Sequence, residues 1–165
     1  MNLILAGPPG TGKTTLGRLC AKLLGYTLVD TDEEISKQTG KSIAEIFSTQ
    51  GEDVFRDIES NTLAKITKYK NSVISLGGGA FINEVIRKEA QKKCICIWLN
   101  WSSKTLIDRI KKNKKRPLAL NLNDNELKDL IINRSKIYSK AEYKIDCENI
   151  SKAEIVNKIT EITNI

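Results

Sequence analysis

Short apolar runs and helix-period segments alternate along the whole chain. Leu3–Ala6 is an unbroken apolar run of strand length, and Lys13–Leu24 follows with helical spacing, ending at Gly25, a good residue to stop a helix. Tyr26–Val29 reads as a second strand and Glu33–Thr39 as a short helix ending at Gly40. Ser42-Ile-Ala-Glu45 has the form of a capping box opening another short helix, and a longer one runs from Glu52 to about Tyr69. Strands are predicted at Ser72–Leu76, Cys94–Leu99 and Tyr143–Cys147. Helices are predicted near 83–92, from Ser102 or Ser103 to about Lys112, from Asp124 to about Ser139, and after a second capping box at Ser151-Lys-Ala-Glu154. Residues 113–123 read as a loop. Such alternation predicts an α/β fold whose parallel sheet is covered on both faces. No repeat, low-complexity stretch or linker interrupts it, so residues 1–165 read as one domain.

Composition narrows the chemistry. The chain is 40% apolar and 28% charged, which is ordinary for a globular protein. No apolar run approaches the ~18–20 residues needed to cross a bilayer, and the N-terminus reads as a first strand rather than a signal peptide. There is no histidine, which excludes Ser-His-Asp and Cys-His catalysis and imidazole-ligated metal sites. The cysteines at 20, 94, 96 and 147 lack zinc spacing and read as buried thiols of a reducing cytoplasm. The net charge of +7 suits either nucleic acid or an anionic small molecule. Aromatic residues are only 5% of the chain and RNA-binding aromatic motifs are absent, which favours the small molecule. One basic cluster stands out, Arg109-Ile-Lys-Lys-Asn-Lys-Lys-Arg116.

Six of the ten glycines fall in two short loops, Gly7, Gly10 and Gly12, then Gly77, Gly78 and Gly79. The first loop, Gly7-Pro8-Pro9-Gly10-Thr11-Gly12-Lys13-Thr14, completes the phosphate-loop pattern G-x-x-x-x-G-K-[ST] between a predicted strand and a predicted helix. Its backbone N–H groups can cradle phosphate at a helix N-terminus. Lys13 would then reach the β- and γ-phosphates of ATP, and the Thr14 hydroxyl would ligate Mg²⁺. No strand ends in adjacent acidic residues, which argues against a motor ATPase. Asp30 and Asp32 close the second strand. If extended, they share a side, roughly 6–7 Å apart. Both could face the phosphate loop at the carboxyl ends of the strands. The alternative for Asp32 is a helix cap.

Taken in order, the phosphate loop, D-T-D at 30–32, G-E-x-x-F-R at 51–56, S-L-G-G-G-A at 75–80, R-P-L at 116–118 and N-R-x-x-x-Y at 133–138 resemble the shikimate kinase family over essentially the whole chain. The resemblance implies a P-loop NTPase of the nucleoside-monophosphate-kinase-like fold. Its five-stranded parallel sheet would have the order 2-3-1-4-5, flanked by helices, with a substrate-binding region at about 31–60 and a lid at about 110–122. It implies transfer of the ATP γ-phosphoryl group to the 3-hydroxyl of shikimate, with Mg²⁺, by a cytoplasmic monomer that binds neither nucleic acid nor membrane.

The same resemblance implies roles for individual residues. Lys13, Asp32 and Arg116 would be catalytic. Gly10, Thr11, Gly12, Lys13, Thr14 and Thr15 would hold the nucleotide, joined by Arg109 against adenine and Arg116 from the lid. Thr14 and Asp30 would hold the metal. Asp32, Arg56, Gly77, Gly78, Gly79 and Arg134 would bind shikimate, with Glu59 orienting Arg56. The chemistry agrees, because guanidinium forks grip a carboxylate bidentately. Phe47 and Phe55 could pack on the ring edge or belong to the core. Arg56 could instead pair with Glu52 and Glu59 on a helix face, and the basic cluster could be a solvated charge run. Two competing readings remain at this point. One is a related gluconate or nucleoside-monophosphate kinase; the other is a silent ATP-binding module, perhaps on RNA.

Overall fold

A computed structural model of the protein describes residues 1–113 and 121–164. The strands β1 (Asn2–Ala6), β2 (Thr27–Asp30), β3 (Ser72–Ser75), β4 (Ile95–Asn100) and β5 (Tyr143–Asp146) form one sheet in the order β2-β3-β1-β4-β5. All four pairings are parallel, with Leu3 opposite Val73 on one side and Ile95 on the other. The helices are α1 (Lys13–Leu24), α2 (Thr31–Thr39), α3 (Ile43–Ile66), α4 (Glu84–Lys93), α5 (Ser103–Lys112), α6 (Asp124–Tyr138) and α7 (Lys152–Ile162). A single 3-10 turn, Ala80–Ile82, follows β3.

Alternation along the strands builds two cores. Leu3 and Leu5 pack with Leu16 and Cys20 of α1 and with Ile155 and Ile159 of α7. Ile4 and Ala6 point the other way, into a layer with Leu63, Ile86 and Tyr138 from α3, α4 and α6. The sheet is thus buried on both faces, as a parallel sheet requires. Cys94 and Cys96 share the second layer, and all four cysteines are buried and free. Burial pushes the thiols up, to about 12 for Cys20 and about 11 for Cys94, so they are inert as nucleophiles. Among the described residues, no helix is long and apolar enough to cross a membrane.

The capping boxes at Ser42/Glu45 and Ser151/Glu154 are both formed. A third, at Asn123/Glu126, opens α6. The short helix expected to open at Ser42 and the longer one expected from Glu52 to about Tyr69 are one element, α3, broken at Gly51, whose φ of 85° takes it out of helical torsion. The largest difference lies at the second strand. Asp30 ends β2 and caps α2, accepting the N–H groups of Asp32 and Glu33 on Oδ1. Asp32 therefore lies in the first turn of a helix, not two residues along an extended strand. The physical reason is local: a carboxylate before a helix satisfies two of its orphan N–H donors.

Candidate active site

Every strand points its carboxyl end toward the phosphate loop, and the chain crosses from one half of the sheet to the other beside β1. Ligands gather at this position in open α/β sheets. The loop leaves β1 through Gly7 and turns at Gly10 (φ 89°) and Gly12 (φ 80°), torsions that favour glycine. Gly12 starts α1 without any side-chain cap, so the first N–H groups of that helix stay directed at the loop mouth. Lys13 is buried and folds back over the loop, donating from Nζ to Gly7 O at 2.8 Å and Pro8 O at 3.1 Å.

Thr14 makes the link to the next strands. Its Oγ1 donates to Asp30 Oδ2 at 2.6 Å and lies 3.1 Å from Ser75 Oγ. Asp30 is consequently used on both oxygens, one for the helix α2 and one for Thr14. Thr31, at the centre of the D-T-D segment, is buried and ties β2 to the triple glycine. It donates to Ser75 O at 3.3 Å and accepts from the Gly77 N–H at 2.8 Å.

The triple glycine is small because each position faces something. A Cβ at Gly77 would sit 2.8 Å from Asp32 Oδ1. One at Gly78 would sit 2.8 Å from the Pro9 ring, and one at Gly79 would sit 2.7 Å from Arg56 Nη2. Pro9 of the phosphate loop thus abuts the second glycine loop. Tyr138, fully buried on α6, stacks near Phe81 and Trp98 and donates its hydroxyl to Gly78 O. Burial pushes the Tyr138 hydroxyl up, and the positive charges of Arg134 and Arg56 oppose the rise.

Arg56 is held by the buried Glu59, Nη1 to Oε2 at 2.7 Å, and more loosely by the exposed Glu52 at 3.5 Å. Its guanidinium also lies 5.3 Å from the centroid of Phe55. Burial raises the Glu59 carboxyl above its usual range, the pull of Arg56 works against this, and the charge of Asp32 adds to it. Phe55 is buried with Ile35 and Ile46, while Phe47, its ring centroid 4.6 Å away, lines the open cavity.

One cavity of about 1090 Å³ opens among these elements. Gly10, Gly12, Lys13, Thr14 and Thr15 line its phosphate-loop wall, and Pro9 joins them. Asp30, Asp32, Gly77, Gly78 and Arg134 line the facing walls. Thr11, within the loop, is buried and donates its hydroxyl to Pro8 O. Arg56 and Gly79 meet each other, and neither lines the cavity. Arg109 lies across the outer side of the loop, donating to Gly10 O at 3.0 Å. The Arg116 expectation, and with it most of the lid, falls outside the described residues; 110–112 belong to α5.

Sequence reasoning left Thr31, Ser75, Tyr138, Pro9 and Trp101 without a role. All but Trp101 stand inside the family motifs, but only the fold reveals what the hydroxyls of Thr31, Ser75 and Tyr138 reach.

A phosphate loop at the head of the central strand of a β2-β3-β1-β4-β5 parallel sheet, opening on a cavity with an aspartate and an arginine opposite, defines an ATP-dependent P-loop kinase of the nucleoside-monophosphate-kinase-like fold. Deoxyadenosine kinase from M. mycoides (TM-score 0.65, 19% identity) and a gluconokinase from Sinorhizobium meliloti (TM-score 0.56, 16% identity) share that fold. The family model of shikimate kinase matches residues 9–164, and the chain belongs to that family. The shikimate kinase of Thermodesulfovibrio yellowstonii is 41% identical over 96% of this chain and 92% of its own, and that of Persephonella marina is 39% identical over 96% of each. Shikimate kinase from Acinetobacter baumannii, solved in complex with shikimate, superposes with a TM-score of 0.90 at 34% identity, covering 98% of this chain and 92% of its own.

Proposed function

We propose that this protein transfers the γ-phosphoryl group of ATP to the 3-hydroxyl of shikimate, giving shikimate 3-phosphate and ADP. The observation that carries the reading is the shared cavity in which Lys13 and Thr14 face Asp32 and Arg134. Phosphoryl transfer needs positioning and charge stabilisation rather than a covalent intermediate, and these are the groups that supply both.

The phosphate loop, Gly10 to Thr15, binds the triphosphate through its N–H groups and hydroxyls. Lys13 exchanges the carbonyls of Gly7 and Pro8 for β- and γ-phosphate oxygens. Asp32 accepts the hydrogen bond of the attacking hydroxyl and takes its proton as the new P–O bond forms. Arg56 and Arg134 grip the shikimate carboxylate, and the substrate lies along Gly77 and meets the N–H groups of Gly78 and Gly79 with no side chain between. Arg109 stacks on adenine, and Arg116 reaches the transferring group from the lid.

The oxygen donors Thr14, Asp30 and Ser75 suit a hard cation. Among the described residues, no three His, Cys, Asp or Glu side chains form a cage for one. That fits Mg²⁺, which keeps waters and substrate phosphates in its shell. Thr14 would ligate it, with Asp30 behind, and the ion would supply neutralisation of phosphate charge. Four free, buried thiols suit a reducing cytoplasm.

The test is a coupled ADP-release assay on purified protein with ATP, Mg²⁺ and either shikimate, gluconate or a nucleoside monophosphate. Turnover with shikimate alone is expected. ADP release with another acceptor and none with shikimate would overturn the reading.

A further inference from the structure

Trp101 follows β4 directly and is half-buried on the way into α5, packing against two apolar clusters. Both its edge and its face are occupied. Nε1–H donates to Thr11 O at 3.1 Å, and the Arg109 guanidinium lies 3.9 Å from the ring centroid. Arg109 in turn donates to Gly10 O at 3.0 Å. One indole and one guanidinium therefore hold two consecutive carbonyls of the phosphate loop from some 90 residues away in sequence.

An arginine side chain has many rotamers and loses that freedom when it orders around a ligand. A guanidinium already laid on an indole and bonded to a carbonyl has lost it beforehand, so binding is less opposed. The guanidinium is planar. With its central carbon 3.9 Å from the indole centroid, the group is already held on one side by the ring, and a purine base would meet it from another.

We propose that Trp101 is a positioning residue for the nucleotide: its indole, bonded to the phosphate loop, holds the Arg109 guanidinium in place beside that loop, so that the base meets a preset cation. The inference rests on the assignment of adenine to Arg109 made above.

The experiment compares ADP with inorganic tripolyphosphate, a phosphate chain without a base, by titration calorimetry. The variants are Trp101→Leu, Trp101→Phe, Arg109→Ala and the double variant Trp101→Leu/Arg109→Ala. Trp101→Leu keeps apolar bulk but loses the aromatic face and the N–H. It is expected to weaken ADP by about five- to tenfold, the range of a partly desolvated cation–π contact, and to leave tripolyphosphate and the KM for shikimate unchanged. Trp101→Phe restores most of the ADP affinity, and the double variant binds ADP no more weakly than Arg109→Ala alone. In the unmutated protein, ADP changes tryptophan emission and tripolyphosphate does not. Equal weakening of ADP and tripolyphosphate would reduce Trp101 to a brace for the loop and overturn the proposal. So would unchanged ADP binding in Trp101→Leu while Arg109→Ala weakens it, an outcome that leaves the Arg109 assignment intact. Unchanged ADP binding in Arg109→Ala would instead remove that assignment and the proposal with it.

Discussion

Gly79 leaves the space that the Arg56 guanidinium occupies: a Cβ there would lie 2.7 Å from Nη2 and 3.2 Å from Nη1. The backbone at Gly79 has φ −99°, so alanine meets no torsional objection, only this collision. The absence of a side chain on one loop thus sets the position of a cation on a helix that precedes it in the chain.

Gly79→Ala is therefore expected to displace Arg56 and to raise the KM for shikimate at least about tenfold, the scale of one lost charge-assisted hydrogen bond, with the KM for ATP little changed. Steady-state kinetics with each substrate varied in turn would decide it. A matched rise in both constants would place the damage in the phosphate loop instead.

Asp30 and Asp32 should separate cleanly. Asp32→Asn is expected to lower kcat by about 10²-fold or more, the range for a positioned proton acceptor, with an unchanged thermal melt. Asp30→Ala removes the α2 cap and the partner of Thr14. It should reduce folding stability by about 1 kcal/mol as well as activity. Urea unfolding of the two variants beside their turnover numbers makes the comparison. An unchanged kcat in Asp32→Asn would remove the proton-acceptor role.

Glu59 gives a pH dependence of defined sign. Burial holds its folded-state carboxyl above the usual carboxylate range. Below that range the folded and unfolded chains are both protonated and the group contributes nothing. As pH rises through the usual value toward the raised one, the unfolded chain releases its proton first, so folding stability falls, and the loss is complete above the folded value. Glu59→Gln should abolish this decline. Denaturant midpoints across mildly acid pH would show the two curves diverging; parallel curves would contradict the assignment.

Sheet class, element order and the phosphate loop were readable from local pattern, because alternation, capping boxes and glycine placement act over a few residues. Leu3/Leu5 against Ile4/Ala6 already separates the two cores. The D-T-D segment was legible as chemistry but not as geometry: a local rule, helix capping, took Asp30 and carried Asp32 into the first turn of α2.

What the chain order could not express is who meets whom across it. Tyr138 reaches Gly78, Trp101 reaches Thr11, and Pro9 closes on Gly78, all across separations of at least 60 residues in the bonded pairs. The sequence determined which residues could bind phosphate, accept a proton or grip a carboxylate, because those capacities reside in side-chain chemistry. Only the packed sheet decided which of them share a cavity, because distance in space is set by the burial of two apolar faces and not by position along the chain.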